Sequence, residues 1–172
     1  MLGFYENFPV NVHMVAQLTT SVSVKRLQQA IIQALHKLNN ENLSLDAVAN
    51  PSVPGCTVIF EFGIAEGETF NYLDQEETQK TLERVGKAPL QVMDFFCAIR
   101  YYKREDGRKN PLKFDYYIIR LTFNANILGI YVFHERGPRH ITPEELIDFI
   151  CREIKKNLKR KASVKLERSD LF

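Results

Sequence analysis

The stretch HERGPRHITPEELIDFI, residues 134–150, gathers His134, Arg136, Arg139 and His140 around a Gly-Pro step. An imidazole titrates near neutral pH, so either histidine suits general acid–base work. Two guanidinium forks suit a phosphate or a carboxylate. A helix beginning just after them would add oriented N–H groups, which also attract anions. Helix initiation nevertheless accounts for half of the stretch. Ile141 stands at N′, Thr142 at the N-cap, Pro143 at N1, Glu145 at N3 and Leu146 at N4. That is a capping box, an N1 proline and a hydrophobic staple together. Glu144 and Glu145 already complement the positive end of the helix dipole and would repel an incoming anion. The four residues therefore read first as part of a loop and basic surface, then as an anion or pocket site, and last as a catalytic cluster. No residue is assigned to catalysis.

Other chemistry is sparse. The four histidines are His13, His36, His134 and His140, and neither HExxH nor CxxC is present. The eight glycines form no GxGxxG, no GxxxxGK[ST] and no GxSxG, so phosphate loops and a nucleophile elbow are absent. Neither a metal nor a cofactor is expected. Cys56, Cys97 and Cys151 are odd in number and scattered, which reads as buried reduced thiols in a cytoplasmic protein.

Charge is the strongest signal outside the core. Residues 1–99 carry six Lys/Arg and eleven Asp/Glu, a net of −5, whereas residues 100–172 carry seventeen and ten, a net of +7. Two segments hold most of the excess. RYYKREDGRKNPLK (100–113) contains Arg100, Lys103, Arg104, Arg108 and Lys109 beside two tyrosines. REIKKNLKRKASVKLER (152–168) contains Lys155, Lys156, Lys159, Arg160 and Lys161. Cations of this kind grip backbone phosphates, and neighbouring aromatics stack bases.

The elements that must carry these residues follow from periodicity. VNVHMVAQL (10–18) alternates as a strand. Val24, Leu27, Ile31, Leu35 and Leu38 form a helical stripe after Ser21 or Ser23. Residues 39–56 are irregular. TVIFEFGIA (57–65) and TFNYL are strands, and Asp74 with Glu77 opens a second helix that Gly86 ends, with a thin apolar face. Residues 92–102, 113–123 and 127–134 make an antiparallel meander, its first turn carrying the type I′ signal Asp106-Gly107. The last helix begins at Thr142. The order β-α-β-β-α-β-β-β-α predicts an α+β fold, a mostly antiparallel sheet with helices packed on one face. Residues 1–162 read as one domain and 163–172 as a basic tail expected to fray. The first six elements share the βαββαβ order, but His13 and Val15 on the first strand and the short third strand do not make an RRM.

Three functions are weighed. The first is a non-enzymatic module that binds RNA or DNA through the basic hairpin and basic C-terminal helix. The second is an assembly subunit, a homo- or hetero-oligomer formed with a protein partner through the aromatic-rich sheet. The third is an enzyme centred on His134, Arg136, Arg139 and His140. No apolar run approaches the roughly 20 residues of a membrane helix, so membrane insertion is not expected.

Overall fold

The computed structural model describes residues 1–49, 54–158 and 166–169. Lys159, Arg160 and Lys161 lie outside the described residues, as does the 163–172 tail apart from Leu166–Ser169. The elements are β1 (Met14–Thr20), α1 (Val24–Leu38), β2 (Leu43–Ser44), a 3-10 turn (Leu45–Ala47), β3 (Cys56–Glu66), β4 (Thr69–Tyr72), α2 (Gln75–Lys87), β5 (Val92–Glu105), β6 (Arg108–Pro111), β7 (Asp115–Asn124), β8 (Ile127–Arg136), α3 (Pro143–Asn157) and β9 (Leu166–Ser169). This is the α+β order read from the sequence, with the short β2, β6 and β9 added.

The strands form a single sheet in the order β2-β3-β5-β7-β8-β1-β9, with β4 on β3 and β6 on β5. Every ladder is antiparallel. The βαββαβ order does not make a ferredoxin-like sheet, because β1 pairs with β8 and β9. β1 and β2 stand at opposite sides, five strand spacings or about 24 Å apart. The 15 residues of α1 span about 22 Å, most of that distance.

Alternation decides which sheet face is buried. Met93, Phe95, Cys97, Ile99 and Tyr101 of β5 face the helices, as do Tyr117, Ile119 and Leu121 of β7 and Leu128, Ile130 and Val132 of β8. Leu27, Ile31 and Leu35 of α1 and Leu146, Ile150 and Ile154 of α3 close over them. Ser23 caps α1, and Thr142 with Glu145 forms the capping box of α3. α2 differs from its expected end: it runs through Gly86 to Lys87 and stops before Pro89. Its thin apolar face is supplemented by buried Thr78 and Thr81. β1 begins at Met14 rather than Val10, which is fully exposed.

Three irregularities shape one end of the sheet. Asp106 (φ 50°) and Gly107 (φ 75°) make the expected type I′ turn, and Glu105 pairs with Arg108 across it. The loop is two residues long, yet β6 and β7 are separate: residues 112–114 interrupt the strand and shift its register against β5 by one. A second shift occurs between Tyr116 and Tyr117 against β8. Such bulges re-aim the side chains beyond them.

At the other end, the N-terminal segment covers part of the outer face. Gly3 donates to the Ala65 carbonyl at 2.7 Å and accepts from the Asp94 N–H at 2.7 Å, filling the gap where β3 and β5 part. Its φ is 89°, and a Cβ there would lie 2.6 Å from the Val92 carbonyl, so only glycine fits.

Burial also sets thiol reactivity. Cys56 and Cys97 are buried, and burial pushes both thiols above their ordinary range; Cys151 is half-buried. Ellman's reagent is therefore expected to label Cys151 first and all three cysteines only after denaturation. Fast native labelling of Cys97, located by mass mapping, would contradict the packing described.

Candidate functional site

The loop that joins β8 to α3 is organised by a residue from another strand. Asp115 begins β7 after the 112–114 irregularity, in the same register parity as Tyr117, Ile119 and Leu121, and is fully buried. Four donors meet its carboxylate. His134 Nε2 lies 2.9 Å from Oδ1 and the Arg139 N–H 2.7 Å from the same oxygen. The Tyr101 hydroxyl donates to Oδ2 at 2.5 Å and the His140 N–H at 3.0 Å. Tyr101 in turn accepts from the Ile141 N–H at 3.1 Å, and the Tyr117 hydroxyl donates to the Ile141 carbonyl. Burial, and then Asp115 through its hydrogen bond to Tyr101 and its charge, pushes both phenols above their ordinary range, so both remain protonated donors. A Cβ at Gly137 would collide with the Phe114 carbonyl and the Asp115 carboxylate, which explains the glycine.

This arrangement separates the four residues singled out by sequence. His134 points inward and its side chain is only 8% exposed. The register shift between Tyr116 and Tyr117 places Arg136 opposite Tyr116 on the outer face, its guanidinium 5.0 Å from that ring. Arg139 is exposed, held at φ 60° by its N–H bond to Asp115. His140 lays its ring edge-on against Tyr101 at 4.9 Å. Instead of converging on one pocket, they occupy both faces of a clamped loop. His13 adds a neighbouring contact, its Nδ1 accepting from the His134 N–H at 2.9 Å. Partial burial, then Arg139 and His134, hold the His13 imidazole below its ordinary value, in keeping with a neutral acceptor.

The basic hairpin lies at this same end. Arg104 pairs in register with Lys109, and both are exposed with Arg108 at the tip. Lys103 is engaged with Glu105 at 3.2 Å. Arg100 is not at the tip: it faces outward from mid-sheet and pairs with Glu61. Lys155 and Lys156 are exposed, but they lie in the last turn of α3, roughly 18 Å along the helix from Pro143. Lys155 and Lys156 thus lie at the end of α3 away from the loop that joins it to β8.

Between hairpin and loop lies a groove of about 580 Å³, lined by Lys113, Phe114, Tyr116, Arg136, Gly137 and Pro138. Aromatic rings continue from it across the outer face. Phe114 to Tyr116 is 6.1 Å, Tyr116 to Phe96 is 5.7 Å and Phe96 to Phe70 is 5.6 Å between centroids. Sequence reasoning missed Asp115, Phe114 and Phe96 as site residues. A signal for Asp115 existed: a carboxylate sharing the core parity of Tyr117 must be buried with partners.

Among the described residues no three His, Cys, Asp or Glu side chains come together as a metal site, and no helix is long and apolar enough to cross a membrane. No family model, curated protein or solved structure matches the chain.

Proposed function

We propose that this chain is a binding module for single-stranded RNA or DNA, which it grips at the hairpin end of the sheet. The observation that carries this reading is the groove, where exposed cations meet half-buried aromatics. Lys113 and Arg136 form its charged rim, and Phe114 and Tyr116 form its apolar wall. Arg104, Arg108 and Lys109 extend the positive surface along the hairpin. Cations there would hold backbone phosphates, while Tyr116, with Arg136 on it, offers a stacking platform indifferent to base identity. Lys155 and Lys156 would contact only a strand long enough to reach the far end of α3.

Fluorescence anisotropy with a labelled uridine oligomer tests the reading. Affinity should fall with salt, and replacing Arg104 by Ala should lower the slope of log K against log salt by about 0.7. The double variant Arg136→Ala/Tyr116→Ala should weaken binding by at least about tenfold, the scale of one lost stacked base. Salt-independent binding, or none, overturns the reading. The same aromatic face also favours self-assembly as a second reading. Concentration-dependent sedimentation that Tyr116→Ala abolishes would support that alternative.

A further inference from the structure

We propose that a second depression on the outer face receives one unstacked guanine of the bound strand; this rests on the reading of the groove as a single-strand site. The depression is about 150 Å³ and lies beyond Phe96 from the groove. Its floor is made by two small residues, Gly63 and Ala98. A Cβ at Gly63 would lie 3.2 Å from the Asn71 carbonyl oxygen and 3.3 Å from the Phe70 Cβ, so glycine lets β4 and its Phe70 ring close in on this side of the depression. Phe70 and Phe96 wall it with rings, while Tyr72 and Glu61 supply the polar rim. A small apolar depression with polar groups at its edge suits the chemistry of a nucleobase.

The rim favours one base. Glu61 presents a carboxylate, which only accepts hydrogen bonds. Guanine offers two adjacent donors, N1–H and N2–H, to such a group. Adenine presents a lone pair at N1 and would be repelled. The carboxylate is paired with Arg100, so a polyanionic strand is not driven away. Arg100 donates to Asn40 Oδ1 at 3.2 Å, and the Asn40 amide donates to the Tyr72 hydroxyl oxygen. Tyr72 therefore keeps its own proton to give to a base carbonyl. The Nε–H of Arg100 is buried and has no hydrogen-bond partner among the described residues, a further donor beside the same rim.

The test compares uridine oligomers carrying one central guanine, one central adenine or neither, by anisotropy at fixed salt. The guanine oligomer is expected to bind on the order of tenfold tighter than the other two, the discrimination of one good bidentate contact. Glu61→Gln should erase that preference while still binding the plain uridine oligomer, and its melting temperature reports whether the sheet is intact. Ala98→Leu, which fills the depression, should erase the preference by a different route. Equal affinity for all three oligomers with salt-dependent binding retained overturns the guanine slot alone. A preference that survives Glu61→Gln overturns it too. Failure of every oligomer to bind overturns the groove reading and the slot with it.

Discussion

Asp115→Ala is expected to lower the unfolding free energy by about 3–5 kcal/mol, because it leaves several buried donors unsatisfied at about 1–3 kcal/mol each. The variant leaves the Arg139 and His140 N–H groups, His134 Nε2 and the Tyr101 hydroxyl without their acceptor. Two of these are backbone groups in a loop fixed by Gly137 and by the cap of α3, so they cannot turn to water without moving the loop. Against a total stability of roughly 5–15 kcal/mol, the loss is a large fraction. Asp115→Asn should cost less, about 2–3 kcal/mol. Its amide keeps one acceptor, but either orientation of the NH2 faces a backbone donor. Chemical denaturation measures both variants, and amide exchange at Arg139 and His140 should accelerate in each. A loss under about 1 kcal/mol in the alanine variant would show that the carboxylate does not hold the loop.

The second large effect belongs to Asp94 and Arg120. Asp94 is fully buried on the outer side of β5, and Arg120 reaches it with two bonds of 2.8 Å. The Tyr5 N–H gives Asp94 a third donor at 2.7 Å, and Phe8 lies 4.2 Å from the guanidinium carbon. Arg120→Ala is expected to cost about 3–5 kcal/mol, because it strands a buried carboxylate. Arg120→Lys should recover only part of this, since an ammonium neither forks across two oxygens nor offers a planar face to Phe8. Replacing both Asp94 and Arg120 by apolar residues should be milder than the sum of the single changes. Additive losses in that double-mutant cycle would exclude the pairing as the source of the stability. Limited proteolysis should also cut between Tyr5 and Pro9 sooner in Arg120→Ala.

What could be read from the sequence was what local chemistry decides. Thr142, Pro143 and Glu145 specify the start of α3 within four residues, and the structure has that capping box. The α1 stripe and the Asp106-Gly107 turn are local in the same sense. The sheet order was not legible, because β1 finds its partner in β8 and nothing in MVAQLTT names it. The arrangement of His134, Arg136, Arg139 and His140 was not legible for a related reason. His134 and Arg136 share a parity in an ideal strand, and one bulge puts them on opposite faces. Asp94 and Asp115 carry no local signature of their role, because their partners lie 14 or more residues away along the chain.

Those distant partners carry a kinetic consequence. Tyr5 meets Arg120 across 115 residues of chain, and His13 meets His134 across 121. Contacts of such high order form only after the intervening loop has closed, so this sheet should fold slowly for its size. During synthesis β1 emerges early and must wait for β8, its ladder groups open to any other strand. The N-terminal segment around Gly3, which needs β3, β5 and β7 in place, is then the last wedge driven in. Pulsed amide exchange during refolding should show it as a late step, the Tyr5 N–H that donates to Asp94 gaining protection after the strand amides.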